Sequence, residues 1–586
     1  MSAGSSIADR PAMRARRTAT RMRVAFLAIA FVLSLFCARL FQLQGVDANA
    51  YAAMAQAEGS RTVVLYAARG EILDRSGEAL ADSVDGVALT ADPTQTAKKA
   101  PQIAALLTSR LDLDYFATVE RLRTPDTQFV YLARQVPRWR GEAIREALLA
   151  RGLVGVYTER DPLRNYPNGV VAAPVVGRTG ADGSGQSGLE LAYDETLTGT
   201  DGSATYDISV SGERLPVSSS DNEDPQSGQS VQTTLDRDLQ WFADVRLAEG
   251  VRTTSADWGV AVTMDTRTGQ LLQLSQAPGF NPRDDDLSGD ELRVKALEDV
   301  YEPGSVQKVL TFGALLDSGA IDPDTKITVP GSLPVGGEVV HDDVPHGTWR
   351  LTATGVIARS SNIGTVIASQ QIEDQELFDY LRAFGLGSTT DLGLAGETAG
   401  ILSDPATWLP IQRANIAFGQ GVAVNALQMA AAVNTIANDG VYVAPQLVAG
   451  TVNADGELAP SAAPETRRVI SARAARSVAL MMETVTHEGG TAPETGIAGY
   501  RVAGKTGTAQ RVDPVNGGYA GRTISYVSFA PADEPRFLTY VVLDNAEGHF
   551  GSTGAGPVVK DIMSMALKRY RIPPTGSQFP RQHLTW

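Results

Sequence analysis

Apolar residues along this chain follow three patterns, and each predicts a different kind of element. The first is an unbroken run. Residues 24–38 are almost wholly apolar, and Leu40, Phe41 and Leu43 carry the run past Arg39. As a helix, about 20 such residues cross the hydrocarbon core of a bilayer. Residues 45–60 carry a helical pattern next. The second pattern is the short β-type run. Arg61-Thr62-Val63-Val64-Leu65-Tyr66 is a β-type run, and two further apolar runs flank Asp74-Arg75-Ser76-Gly77, which predicts a hairpin. Residues 97–160 alternate short helical and strand patterns without evident chemistry. The polar stretch 218–228 predicts a linker.

Beyond that stretch, Asp236 stands where it would cap a helix. Residues 259–265 and 271–274 flank Thr268-Gly269 and predict a strand pair. The third pattern, with helical period, dominates residues 354–437. Strands return at 500–508, 524–529 and 537–543, and a last helix follows Gly556-Pro557 at 558–568. Strands, then helices, then strands predict an α+β fold and not repeated βαβ units.

Charge adds a topology. Residues 1–23 hold Arg10, Arg14, Arg16, Arg17, Arg21 and Arg23 against the single acid Asp9. Basic flanks stay in the cytoplasm, so the N-terminus is expected inside and the rest outside. The rival is a cleaved signal peptide with Ala48-Asn49-Ala50 as its site, but that site lies far beyond the apolar run. Arg39 reads as snorkelling to the headgroups, with a polar contact to a partner helix as the alternative. The net charge of −16 speaks against nucleic acid. Cys37 is the only cysteine, so no intrachain disulfide forms. The five histidines form no H-E-x-x-H, and no P-loop motif occurs.

The chemistry centres on Tyr301-Glu302-Pro303-Gly304-Ser305-Val306-Gln307-Lys308. Pro303 and Gly304 make a turn, and Val309, Phe312, Leu315 and Leu316 then fall at helical spacing. Ser305 is expected at the helix N-terminus with Lys308 one turn on, on the same face. A serine hydroxyl needs a base to become a nucleophile, and a lysine kept neutral by burial serves. Downstream stand Ser360-Ser361-Asn362 and Lys505-Thr506-Gly507-Thr508. Taken singly, these are a helix start, a helix cap and a lysine at a strand turn. Taken in order, they match the S-x-x-K, S-D-N and K-T-G set of penicillin-binding proteins and β-lactamases, with Ser for Asp in the second.

On these motifs the chain resembles a class B penicillin-binding protein, a monofunctional peptidoglycan transpeptidase, and most closely the division-type FtsI group. The resemblance implies a cytoplasmic tail (1–23), a transmembrane helix (24–44), an elongated, mostly-β pedestal (45–228), a transpeptidase domain (229–575) and a C-terminal tail (576–586). It implies an antiparallel sheet flanked by helices in the catalytic domain. It makes Ser305 the nucleophile, Lys308 its base, and Ser360 and Asn362 the relay and the amide that holds the substrate. Lys505, Thr506, Gly507 and Thr508 are then the strand that binds the substrate carboxylate, with the amides of Ser305 and Thr508 as oxyanion hole. Arg69, Gly70, Asp74 and Arg75 match a pedestal motif whose arginine and aspartate brace the two domains. The segments 164–169 and 185–194 resemble the same pedestal.

Asp343-Val344-Pro345-His346-Gly347, Phe418-Gly419-Gln420-Gly421 and Gly551-Ser552-Thr553-Gly554 match further family stretches. His346 reads as structural, and the last stretch departs from the expected paired glycines. The implied activity is cross-linking of stem peptides on lipid-linked precursor strands, in septal wall synthesis, with covalent capture of β-lactams and no metal or organic cofactor. Implied partners are a glycosyltransferase of the FtsW type and other division proteins. Two rival readings stay open: a membrane-bound β-lactam sensor or β-lactamase, and a non-catalytic division scaffold.

Overall fold

The computed structural model describes residues 11–46, 60–207, 221–284, 286–512 and 517–586. They divide into two compact units. In the first, the helix Pro11–Phe41 is followed by a π-helical turn, Gln42–Val46. Ala19–Gln44 has a mean hydropathy of 2.4 and buries none of its surface in the protein. An apolar helix exposed on every side matches lipid as a solvent, not water. Arg39 donates to Gln42 Oε1 at 2.8 Å. The helical pattern expected at 45–60 lies almost wholly outside the described residues.

The strand Ser60–Leu65 pairs antiparallel with Gly202–Asp207, which pairs in turn with Asp221–Glu223. The expected linker 218–228 is therefore a strand in part, while 218–220 lie outside the described residues. Polar composition does not stop a backbone from pairing when a neighbouring strand offers free donors and acceptors.

In the second unit, residues 67–200 carry a small core of their own. The strand Gly86–Ala91 lies between Val130–Pro137 and Val156–Arg160. Ile103 and Leu107 from one helix and Ile144 and Leu148 from another join Leu89 in that core. The predicted hairpin is present: Ile72–Leu73 pairs with Ala79–Val84 around Asp74. Its sheet also takes in Ser230–Thr233 and Val448–Val452, so strands from both sides of residue 228 share one ladder.

The motif residues divide the bracing differently from the expectation. Arg69 binds Glu190 and Asp194, both at 2.8 Å, and Arg164 binds the other oxygen of Glu190 at 2.6 Å. Glu190 is fully buried. Two guanidiniums compensate the desolvation of one carboxylate there. Asp74 closes its own turn by accepting from Ser76 N and Glu78 N. Arg75 alone reaches across, to Tyr570 Oη at 2.5 Å, while its amide donates to Leu235 O. Gly70 is required because a Cβ would lie 2.0 Å from Gln229 O.

The rest of the unit is built on a five-stranded antiparallel sheet. Its order is Leu271–Ala277, Trp258–Asp265, Phe537–Asp544, Tyr519–Ala530, Ala503–Val512. Every residue of Leu271–Ala277 is buried, and so is every residue of Phe537–Asp544. Burial of both sets of alternating side chains means that both faces are covered. The helices Arg237–Thr254 and Ala555–Arg569 pack on the sheet and on each other, and Ala426–Ala437 and Ala472–Glu483 pack on it as well. Asp236 caps the first of these as expected, accepting from Asp238 N and Leu239 N.

The C-terminal tail is docked. Phe579 stacks on His487 with centroids 4.2 Å apart, and Thr585 forms an antiparallel bridge with Leu351. Leu584 O accepts from Thr352 N, and His583 O accepts from Thr352 Oγ1. Thr352 is itself the cap of the helix Ala353–Arg359.

Candidate active site

Three stretches distant in sequence meet in one cleft. The first begins with Tyr301, which exchanges both backbone hydrogen bonds with Val424 at 3.0 Å. Gly304 N then donates to Gly419 O, and Glu302 Oε1 accepts from Gly421 N at 2.8 Å. The Phe418–Gly421 motif is thus the mould for the turn that carries Ser305. Gly419 has φ +95°, and a Cβ there would lie 2.0 Å from Gly304 O. After the turn, Gly304–Val306 is 3-10 and Gln307–Asp317 is α-helical. Ser305 is 7% exposed, at the floor of the cleft. Its hydroxyl makes no hydrogen bond among the described residues.

Lys308 is fully buried. Its Nζ turns to Ser360 O at 2.5 Å and Asn362 Oδ1 at 2.7 Å, not to Ser305. A buried ammonium takes the strongest acceptors available, and catalytic hydrogen bonds often form only with substrate present. Burial lowers its pKa to about 8, with Asp343 and Asp342 partly opposing the shift.

The second stretch turns between two helices. Ser360 follows Ala353–Arg359 in the left-handed region at φ 56°, an uncommon conformation for a residue with a Cβ. Ser361 caps Asn362–Ser369 by accepting from Gly364 N. Helix cap and site motif are therefore both present, on adjacent serines. Asn362 Nδ2 donates to His341 O at 2.9 Å, so its amide is held at both ends.

The third stretch lies on the strand Ala503–Val512, at the edge of the sheet. Lys505 is fully buried and donates to Ser360 Oγ at 2.8 Å. Burial holds its pKa well below the usual lysine range, and the neighbouring Lys308 charge pushes it further down. Thr506 and Thr508 line the cleft. Gly507 faces the protein and not open space. A Cβ there would lie 2.2 Å from Ser525 Oγ and 3.0 Å from Pro303 O, so the protein itself fills that space.

The cleft has a volume of about 240 Å³. Ser305, Asp343, Trp349, Arg359, Ser360, Phe550 and Ser552 are among the residues that line it with the two threonines. Ser552 is the departure from paired glycines, and it places a hydroxyl-bearing residue at the rim. Two positions carry weight that the motif reading missed. Asp342, not Asp343, anchors the second stretch: it accepts from Ser361 Oγ and Ile363 N, and it pairs with His346 at 2.9 Å. The i,i+4 spacing of Asp342 and His346 was a usable signal. Thr491 Oγ1 lies 3.3 Å from Thr506 Oγ1 and had no signal in the sequence. His346 is structural, stacked on Trp349 with centroids 3.5 Å apart. No cluster of three or more metal-ligating side chains occurs among the described residues.

Comparison with known proteins agrees with this architecture. Residues 259–564 match the penicillin-binding protein transpeptidase domain, and residues 64–233 match the penicillin-binding protein dimerisation domain. Penicillin-binding protein PbpB of Mycolicibacterium smegmatis is 35% identical, over 94% of this chain and 91% of its own. Peptidoglycan D,D-transpeptidase FtsI of Escherichia coli is 31% identical, over 94% of this chain and 91% of its own. The crystal structure of penicillin-binding protein 3 from Mycobacterium tuberculosis, complexed with aztreonam, superposes with a TM-score of 0.70. It is 31% identical and covers 89% of this chain and 100% of its own. With both domains matched and full-length relatives above 30% identity, this chain belongs to the class B penicillin-binding proteins.

Proposed function

We propose that this chain is a membrane-anchored D,D-transpeptidase that cross-links peptidoglycan stem peptides during septal wall synthesis. One observation carries the reading: two fully buried lysines from different stretches bond to the same residue, Ser360, in the cleft that holds Ser305. Neutral Lys308 takes the Ser305 proton as Oγ attacks the penultimate D-Ala carbonyl. The amides of Ser305 and Thr508 receive the developing oxyanion. Lys505, Thr506 and Thr508 hold the terminal carboxylate. The Ser360 hydroxyl relays a proton to the departing amine, the carbonyl–nitrogen bond breaks and D-Ala leaves. An amine from a second stem then attacks the ester, and the Ser305 oxygen regains its proton.

The septal role rests on likeness to relatives named FtsI and PbpB. The same cleft would be acylated by β-lactams. The arginine-rich tail supports an N-terminus in the cytoplasm and a catalytic domain outside. A chain of this kind acts on strands made by another enzyme, so a glycosyltransferase of the FtsW type, working on lipid-linked precursor, is the partner. The test is fluorescent-penicillin labelling of the full-length protein, followed by cross-link analysis on precursor polymerised by such a partner. Failure to label, or labelling without cross-linked product, counts against the reading.

A further inference from the structure

We propose that Arg359 selects the donor stem by binding a free carboxylate upstream of its D-Ala-D-Ala end; the inference rests on the transpeptidase reading above. Arg359 is the last residue of the helix Ala353–Arg359, directly before Ser360. It is exposed and lines the same cleft as Ser305, Thr506 and Thr508. Its guanidinium lies 5.6 Å from the centroid of the Trp349 ring. His346 stacks on the same ring and is itself paired with Asp342. Arg359 is thus seated on a stack of ordered side chains.

Among the described residues its guanidinium has no ion pair and no hydrogen bond. Asp342 is engaged with His346, Ser361 and Ile363. The other cations of the cleft, Lys308 and Lys505, are buried and bonded to Ser360. Arg359 is the exposed cation on the wall that carries Ser360.

A donor laid along the free edge of Ala503–Val512 passes between that strand and the Ser360 wall, and it shows alternate side chains to the wall. A planar guanidinium offers paired N–H donors that fit a carboxylate. Asp343 also lines the cleft, so a carboxylate is favoured only where Arg359 neutralises it. Two stem positions carry such a group. One is the γ-linked glutamate at the second position, through its α-carboxylate. The other is the third position, where that residue is diaminopimelate.

The test uses the full-length protein in detergent, with a D-amino acid as acceptor, and reads release of the terminal D-Ala. Four synthetic pentapeptides combine carboxylate or amide at the second position with carboxylate or amide at the third. The expected result is about a tenfold higher kcat/KM for carboxylate at one of the two positions, carried by KM. Whichever position shows it identifies the group bound. Arg359→Gln erases the preference, Arg359→Lys keeps part of it, and Arg359→Glu turns it toward the amide. Equal kcat/KM for all four donors, or a preference that survives in Arg359→Gln, overturns the inference. If no donor turns over while Ser305 still takes up penicillin, the transpeptidase reading fails first and the inference falls with it.

Discussion

Lys505 donates from Nζ to the hydroxyl of Ser360 at 2.8 Å, while Lys308 donates to the carbonyl of the same residue at 2.5 Å. One residue therefore links the two buried amines, and its hydroxyl is the only part that can pass a proton. Ser360→Gly removes that hydroxyl and keeps the left-handed backbone without strain. Acylation by penicillin should slow by about a hundredfold, the usual size of a lost proton-transfer group. Stopped-flow labelling with unchanged thermal stability is the check. An unchanged rate would show that Ser360 relays nothing.

Ser305→Ala should abolish covalent labelling with the fold intact, since only the reactive oxygen is lost. Lys308→Ala should lose acylation as well. Peptide mapping of any remaining adduct decides the matter, and an adduct on another residue would exclude Ser305 as nucleophile.

The acylation rate should depend on pH with a definite sign. In the proposed mechanism Lys308 accepts the Ser305 proton, which requires a neutral amine, and burial brings its pKa to about 8. Below that pH it is mostly protonated, so the rate should rise with pH through about 8 and level off above. Asp343 raises the Lys308 pKa. Asp343→Asn should therefore move the rising limb toward lower pH. A limb that moves the other way would mean that a different group controls acylation.

The acyl-enzyme should be long-lived. A β-lactamase needs a positioned base to activate water, a glutamate in class A enzymes. Glu302, the acid nearest Ser305 in sequence, is bonded through Oε1 to Gly421 N, lies 3.5 Å from the Tyr519 hydroxyl and is not among the residues that line the cleft. It holds the nucleophile turn in place. Intact mass measured after removal of free drug should show the penicilloyl adduct for many minutes. Return to the unmodified mass within seconds would favour the hydrolase rival.

Gly355→Ala should detach the C-terminal tail. A Cβ at that position would lie 1.9 Å from Leu584 O, which is backbone and cannot swing aside. The expected cost is about 1–3 kcal/mol, typical of overpacking at a buried site. Because Leu584 and His583 hold the cap of the helix leading to Ser360, acylation should slow too. Calorimetry and labelling should change together; a full-rate enzyme with lowered stability would confine the tail to a structural role.

Much of this protein could be read from its residues in order, because the information was local. The long N-terminal helix needed only an unbroken apolar run, long enough to cross a bilayer. The 72–84 hairpin needed turn residues between apolar runs. The Ser305–Lys308 pair needed only helical spacing, since i and i+3 share a face whatever packs around them. The strand carrying Lys505 and the cap at Asp236 belong to the same class.

Contacts between distant stretches were not legible in that way. No spacing places Lys308 Nζ on Ser360 and away from Ser305. That choice depends on which acceptors are buried beside it once three segments have packed. The same holds for Gly507, whose missing side chain makes room for Ser525 and Pro303. It holds for Asp74, which shares a motif with Arg75 yet bonds only within its own turn. Periodicity records which face of an element turns inward. What that face meets, and which polar atoms are left to compensate one another there, is set by the packing of segments hundreds of residues apart.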